Sequence, residues 1–217
     1  MTVDDNFFKV LRGISVYTTF IPLVVALIVN KYLKAEYKLL FIYVAIAIIV
    51  EILTTYLNDR AINNFFIFRF FSLVEFTLFS LFYYSFFRKY FNSIIILCII
   101  PIFAAVAFVD YKINGLNEMD SFTTSVECIL LGAYSLYLFY FVLQRLIFKN
   151  LLSEPIFWIN SAVLLYFAGD LLLFLFSNDL LKTDIKKHEF LWGFIHSFCN
   201  MFYNVFLAVG FWKTRPR

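Results

Sequence analysis

Arg69 and Glu75 sit six positions apart in the stretch RFFSLVEF, inside a long run of Phe, Leu, Ile and Tyr. Glu51, Glu127, Asp170 and His196 interrupt other apolar runs in the same way, and Asn160, Asn200 and Asn204 add neutral polar groups. In hydrocarbon each charged side chain costs about 2.5–3.5 kcal/mol on insertion scales. Residues held at that cost face the bundle interior, pair with one another, or line a wet cavity. Four acids against one arginine and one histidine is more than pairing alone explains, and buried surplus carboxylates mark functional sites. His196 is the residue type that titrates nearest neutral pH. The candidate polar network is Glu51, Arg69, Glu75, Glu127, Asp170, His196 and Asn200, with Arg69 expected to pair with Glu75 or Glu51.

Other chemistries fit less well. The chain has two histidines, and His188 is expected in a loop, so a three-histidine metal site is out of reach. One histidine with several carboxylates would be an unusual donor set, and neither metal nor cofactor is expected. Cys98, Cys128 and Cys199 show no paired metal-ligand spacing and read as small apolar residues. Ser72 or Ser197 with His196 and Asp170 has the composition of a hydrolytic triad. No GxSxG elbow accompanies it, and back-bonding of these serines to their own helix is the simpler expectation.

Helices long enough to cross a bilayer must position these groups. The chain is 63% hydrophobic and 15% charged over 217 residues, too apolar for a water-soluble globule. About 20 helical residues cross a bilayer core. Segments of that order fall at 13–33, 37–57, 65–87, 93–110, 121–147, 155–176 and 189–212. The expected fold is all-α: a single polytopic seven-helix transmembrane domain, without internal repeat. The first segment is expected to be retained, since Asp4, Asp5, Lys9 and Arg12 precede it and no small-residue cleavage pattern follows. Breaks are expected at Asn58-Asp59-Arg60 with Asn63-Asn64, at Arg88-Lys89, across Asp110–Asp120 and across 177–188. Ser153 is expected to cap a helix that starts at Pro155. The net charge of +3 and the lack of a basic run argue against nucleic acid.

Residue spacing then groups the candidates. Glu51, Glu127, Asp170 and His196 each lie six or seven residues from a span end. At about 1.5 Å per residue that places them about 10 Å below one surface, the N-terminal side. Arg69 is expected slightly shallower and Glu75 slightly deeper. Trp192, His196, Cys199, Asn200, Tyr203 and Asn204 follow helical spacing along one face, as do Thr123, Glu127 and Leu131, and Arg69, Ser72 and Glu75. Loops on the N-terminal side carry seven Lys and Arg, the opposite side ten. The excess, with Arg88, Lys89, Arg145, Lys213, Arg215 and Arg217, favours the N-terminus outside and the C-terminus inside. Those cations are expected to face anionic membrane lipid or a signalling partner, cytoplasmic or in the membrane.

Two family resemblances add to this reading. EPIFWINSAVLLYFAGDLLLFLFSN and LWGFIHSFCNMFYNVFLAVGFW resemble the last two spans of small seven-helix inner-membrane proteins of Bacteroidota, and FRFFSLVEFTLFSLFYYSFF resembles their third. The resemblance implies a bacterial inner-membrane location and a sensory role. Gly169-Asp170 in YFAGDLLLF is similar to the Gly-Asp step of the lysoplasmalogenase family of multi-span lipid hydrolases, which would make Asp170 catalytic. The primary expectation is a non-enzymatic, receptor-like or sensor-like module. Its polar pocket would lie in the outer-leaflet half, framed by Trp192 and tyrosines, and bind a small polar or amphiphilic molecule. The alternatives are an intramembrane lipid hydrolase and a proton-coupled transporter. The lack of a repeat and of paired Gly/Pro-broken helices counts against the last.

Overall fold

The computed structural model describes residues 3–58, 60–116 and 118–216. Asp59 of the expected polar turn and Arg217 of the terminal cations lie outside the described residues, as do the side chains of Asp4, Asp5 and Lys9. Among the described residues there are helices and turns and no strand. Seven helical stretches are long and apolar enough to span a membrane: Val10–Tyr32, Ala35–Asn58, Phe65–Phe87, Ile94–Asn114, Ser121–Gln144, Pro155–Thr183 and Ile185–Trp212. The chain is an all-α, multi-pass membrane protein. Ile49, Phe70, Ile95 and Leu172 are each more than 60% exposed, an arrangement that lipid accepts and water does not.

The helices gather into two compact units, Met1–Leu33 with Cys128–Arg217, and Lys34–Glu127. The first contains α1 (Val3–Thr18), α2 (Phe20–Val29), most of α6 (Ser121–Gln144), α7 (Pro155–Thr183), α8 (Ile185–Leu191) and α9 (Ser197–Trp212). The second contains α3 (Ala35–Asn58), α4 (Phe65–Phe87), α5 (Ile94–Asn114) and the first turns of α6.

In the second unit α4 packs against both α3 and α5. Its Phe76, Phe79, Phe82 and Tyr83 are fully buried, at the three- and four-residue steps that share a helix face. Phe76 stacks on Phe103 of α5 at 4.1 Å between ring centroids, and Phe79 meets Tyr43 of α3 edge-on at 4.9 Å. Asn64 donates to the Thr54 carbonyl at 3.1 Å and ties the α3–α4 turn down.

In the first unit α9 packs on α7, α2 and α1. Close approach of α7 and α9 depends on two glycines. A Cβ on Gly169 would lie 2.5 Å from the Cys199 sulfur, and one on Gly210 would lie 2.5 Å from Ile159 Cγ1. Small residues at such crossings let apolar helices pack tightly in a solvent that offers no hydrophobic drive. Asn160 and Ser135 form a reciprocal clamp, each side chain donating to the other's carbonyl at 3.0 Å.

The boundaries differ from expectation at four places. The first span is two helical pieces, broken at Thr19. Thr18 and Thr19 turn their hydroxyls back onto the Ser15 and Val16 carbonyls, each at 2.6 Å, a competition that interrupts helix propagation. The fourth helix runs on to Asn114, so Asp110 is helical rather than the start of a loop. Gly115, at φ +72°, supplies the stop. Residues 177–188 are mostly helical: α7 continues to Thr183, and Asp184 caps α8 by accepting from the Lys187 amide at 3.1 Å. Ser153 lies in a short 3₁₀ turn and Glu154 holds the cap position before Pro155.

Candidate functional site

The seven candidate residues fall into two groups, one in each unit. In the second unit Arg69 is 5% exposed, and its Nη1 donates to Asp110 Oδ2 at 2.5 Å. The expectation that Glu75 or Glu51 would be its partner missed Asp110, because Asp110 was assigned to a loop. Asp110 is fully served. The Thr123 hydroxyl donates to it at 3.1 Å and the Asn114 amide at 2.7 Å. A second arm of Arg69 donates to the Glu118 carbonyl at 3.3 Å. Such a pair, with its remaining lone pairs satisfied, is the arrangement that keeps buried charges tolerable.

Three more carboxyls stand in the same unit. Glu75 on α4 accepts from the Tyr43 hydroxyl at 2.7 Å. Asp120, just before α6, accepts from the Ser72 hydroxyl at 3.3 Å. Ser72 therefore serves a neighbouring acid, contrary to the expected back-bond to its own helix. Burial pushes the Asp120 carboxyl up from its ordinary range, against the opposing pull of its own backbone amide, the Arg69 charge and Ser72. Glu127, on the second turn of α6, is fully buried, and neither carboxyl oxygen has a hydrogen-bond partner. Its charged neighbours are Glu75 and Asp120, and the Ser72 hydroxyl that serves Asp120 is the donor at hand. Glu51, on α3, is half-buried. Four buried carboxyls, Glu75, Asp110, Asp120 and Glu127, thus share one guanidinium. Full ionisation would leave a surplus of three negative charges, each carrying a desolvation cost of several kcal/mol. Protons are the smallest species that remove it.

The first unit is balanced differently. Asp170 on α7 is fully buried and its Oδ2 lies 2.7 Å from His196 Nδ1. With Asp170 ionised, Nδ1 carries the hydrogen and Nε2 is left as an acceptor. His196 closes a single π-helical turn, Trp192–His196, between α8 and α9. Extra-residue turns of this kind re-aim side chains and recur at functional sites. Rings surround the imidazole: Trp192 at 4.4 Å, Tyr166 at 5.9 Å and Phe174 at 6.2 Å between centroids. Trp192 thus lies against His196.

Asn200 and Asn204 of the α9 stripe face α1, whereas Cys199 and Tyr203 face α7. Asn200 donates to the Ser15 hydroxyl at 2.9 Å, and Asn204 to the Thr18 hydroxyl at 3.2 Å. Asn200 is a helix tie here. Ser197 is turned toward the Trp192 carbonyl at 3.5 Å, which leaves no triad geometry with His196. His188 belongs to α8 and not to a loop, with its ring 5.8 Å from Trp192. Cys128 is buried, whereas Cys98 is exposed on α5 and so departs from the expected burial.

Among the described residues no three His, Cys, Asp or Glu side chains are arranged to hold a metal ion. Two of the surface grooves among the described residues are informative. One of about 380 Å³ is lined by Tyr32, Trp212, Lys213, Arg215 and Pro216. One of about 230 Å³ is lined by apolar residues of α3 and α4 such as Ile46, Phe70 and Val74. Neither includes a candidate polar residue. Sequence reasoning missed Asp110 and Asp120. The helical spacing of Asp110 and Asn114 before Gly115 was the available signal. Comparison with family models, curated proteins and solved structures finds no match.

Proposed function

We propose that this protein is a non-enzymatic, sensor-like membrane module whose buried carboxyl cluster takes up and releases protons. Glu127 carries the proposal: a fully buried carboxyl, beside two other acids, with no hydrogen-bond partner for either oxygen. A group in that setting is far cheaper to bury as the neutral acid. Proton release would create charge beside Glu75 and Asp120 and drive a rearrangement, which is the output a sensor needs. The distribution of Lys and Arg supports an N-terminus outside a bacterial cytoplasmic membrane. In that orientation the output would pass to a partner on the inner side. Infrared difference spectroscopy of the protein in lipid tests the reading. The expected result is a protonated-carboxyl C=O band that Glu127→Gln removes. A band unchanged in that variant, or no such band, ends it.

The Asp170–His196 pair favours a second reading, lipid hydrolysis, because a carboxylate-oriented imidazole is a general base. Release of head groups or fatty acids from lysolipids, abolished by Asp170→Asn, would select it. Proton-driven solute uptake into proteoliposomes would instead make the cluster part of a transporter.

A further inference from the structure

The groove at the end of α2 and α9 carries a charge that no acidic residue of its lining balances. α2 packs along α9. The turn after α2 and the turn after α9 end together, since Tyr32 and Trp212 line one groove with Lys213, Arg215 and Pro216. No acidic residue lines it. Lys213 and Arg215 are half-buried, yet neither has a carboxylate within ion-pair reach among the described residues. Lys89 shows the contrast, since it pairs with Glu36 at 2.7 Å. The Arg215 guanidinium lies 3.2 Å from the centre of the Trp212 ring, and Lys31 Nζ lies 4.9 Å from that of Tyr32. Stacking fixes the guanidinium plane and leaves its edge N–H groups for an oxyanion. A helix C-terminus favours cations, which accounts for Lys213 but not for a concave site with two aromatic walls. Trp and Tyr are at home at the level of lipid head groups, and the groove closes two membrane-spanning stretches.

We propose that Lys213 and Arg215, walled by Trp212 and Tyr32, bind the phosphate head group of an anionic phospholipid. Lys31 stands at the rim as a third cation. The site is independent of the proton-binding cluster.

Native mass spectrometry of the full-length protein in detergent doped with lipid tests this. Phosphatidylglycerol and phosphatidylcholine of identical acyl chains are supplied together. Wild type is expected to retain phosphatidylglycerol in preference, a comparison that needs no variant. Lys213→Gln with Arg215→Gln should lower that retention about fivefold for each cation removed. Lys213→Arg should keep it. Arg145→Gln with Lys149→Gln removes the same charge from elsewhere in this unit and should leave retention unchanged. Equal retention of the two lipids in wild type overturns the proposal. So does equal loss in both double variants, which would mean general surface charge. Retention of inorganic phosphate in place of phosphatidylglycerol when the two are supplied at equal concentration also overturns it, because the occupant would then be a free anion.

Discussion

The two polar regions use the same residue types to opposite ends. In the unit built on α7 and α9 four polar pairs tie helices together, Asp170 with His196, Asn160 with Ser135, Asn200 with Ser15 and Asn204 with Thr18, while Asp170 Oδ1 and Trp192 Nε1 are buried without a hydrogen bond. In the unit built on α4 the acids outnumber the buried cation, and one of them, Glu127, has no hydrogen bond in place to either oxygen. Matched pairs are what helices need for cohesion when lipid supplies no hydrophobic drive. Glu75 and Asp120 still tie helices through Tyr43 and Ser72, but each acid beyond the one Arg69 pairs with raises the cost of burial. The contrast separates polar groups that tie helices from a buried acid, Glu127, that makes no such tie.

The largest effect that would sharpen the contrast is expected from Arg69→Gln. It strands Asp110 without its counter-ion and should cost about 3–5 kcal/mol, read as loss of the thermal transition in detergent. A near-normal transition would mean that Asp110 does not depend on the pair. Asn160→Ala breaks one matched clamp and should cost about 0.6–2 kcal/mol, measured the same way with activity-independent readouts such as helicity. Glu127→Gln should change stability by less than about 1 kcal/mol, because a neutral acid and an amide are close in shape and polarity. A large loss there would show that Glu127 is ionised and paired after all, and would erase the distinction between the two regions.

The smallest effect concerns pH. Asp120 holds its proton to higher pH in the fold than in the unfolded chain. Its contribution to stability is therefore complete below its ordinary value of 3.8 and is lost as pH rises through the raised folded value. Asp120→Asn should flatten that part of the profile of unfolding midpoint against pH. An unaltered profile would place the acid-side dependence in other groups.

The spans were legible because hydropathy summed over about 20 residues is a strong signal. The polar residues were legible as candidates for the same reason, since each stands out against an apolar run. Partners were not. Whether Arg69 meets Asp110 or Glu75 depends on how each helix is rotated about its axis, and rotation is set by packing such as Phe76 on Phe103. The stretch 177–188 read as a loop because it is polar, yet polarity does not prevent a helix when a cap like Asp184 is present. The break at Thr19 was written in two adjacent threonines, a local signal outweighed by the apolar run around it.

The Arg69–Asp110 pair spans 41 residues of sequence, and this sets an order of events during biosynthesis. Arg69 leaves the ribosome before its counter-ion has been translated. At about 5–20 residues per second the delay is about 2–8 s. During that interval α4 carries an uncompensated guanidinium in a segment otherwise suited to lipid. Neutralisation of Arg69 therefore waits for α5, and the ion pair closes only between two helices already made.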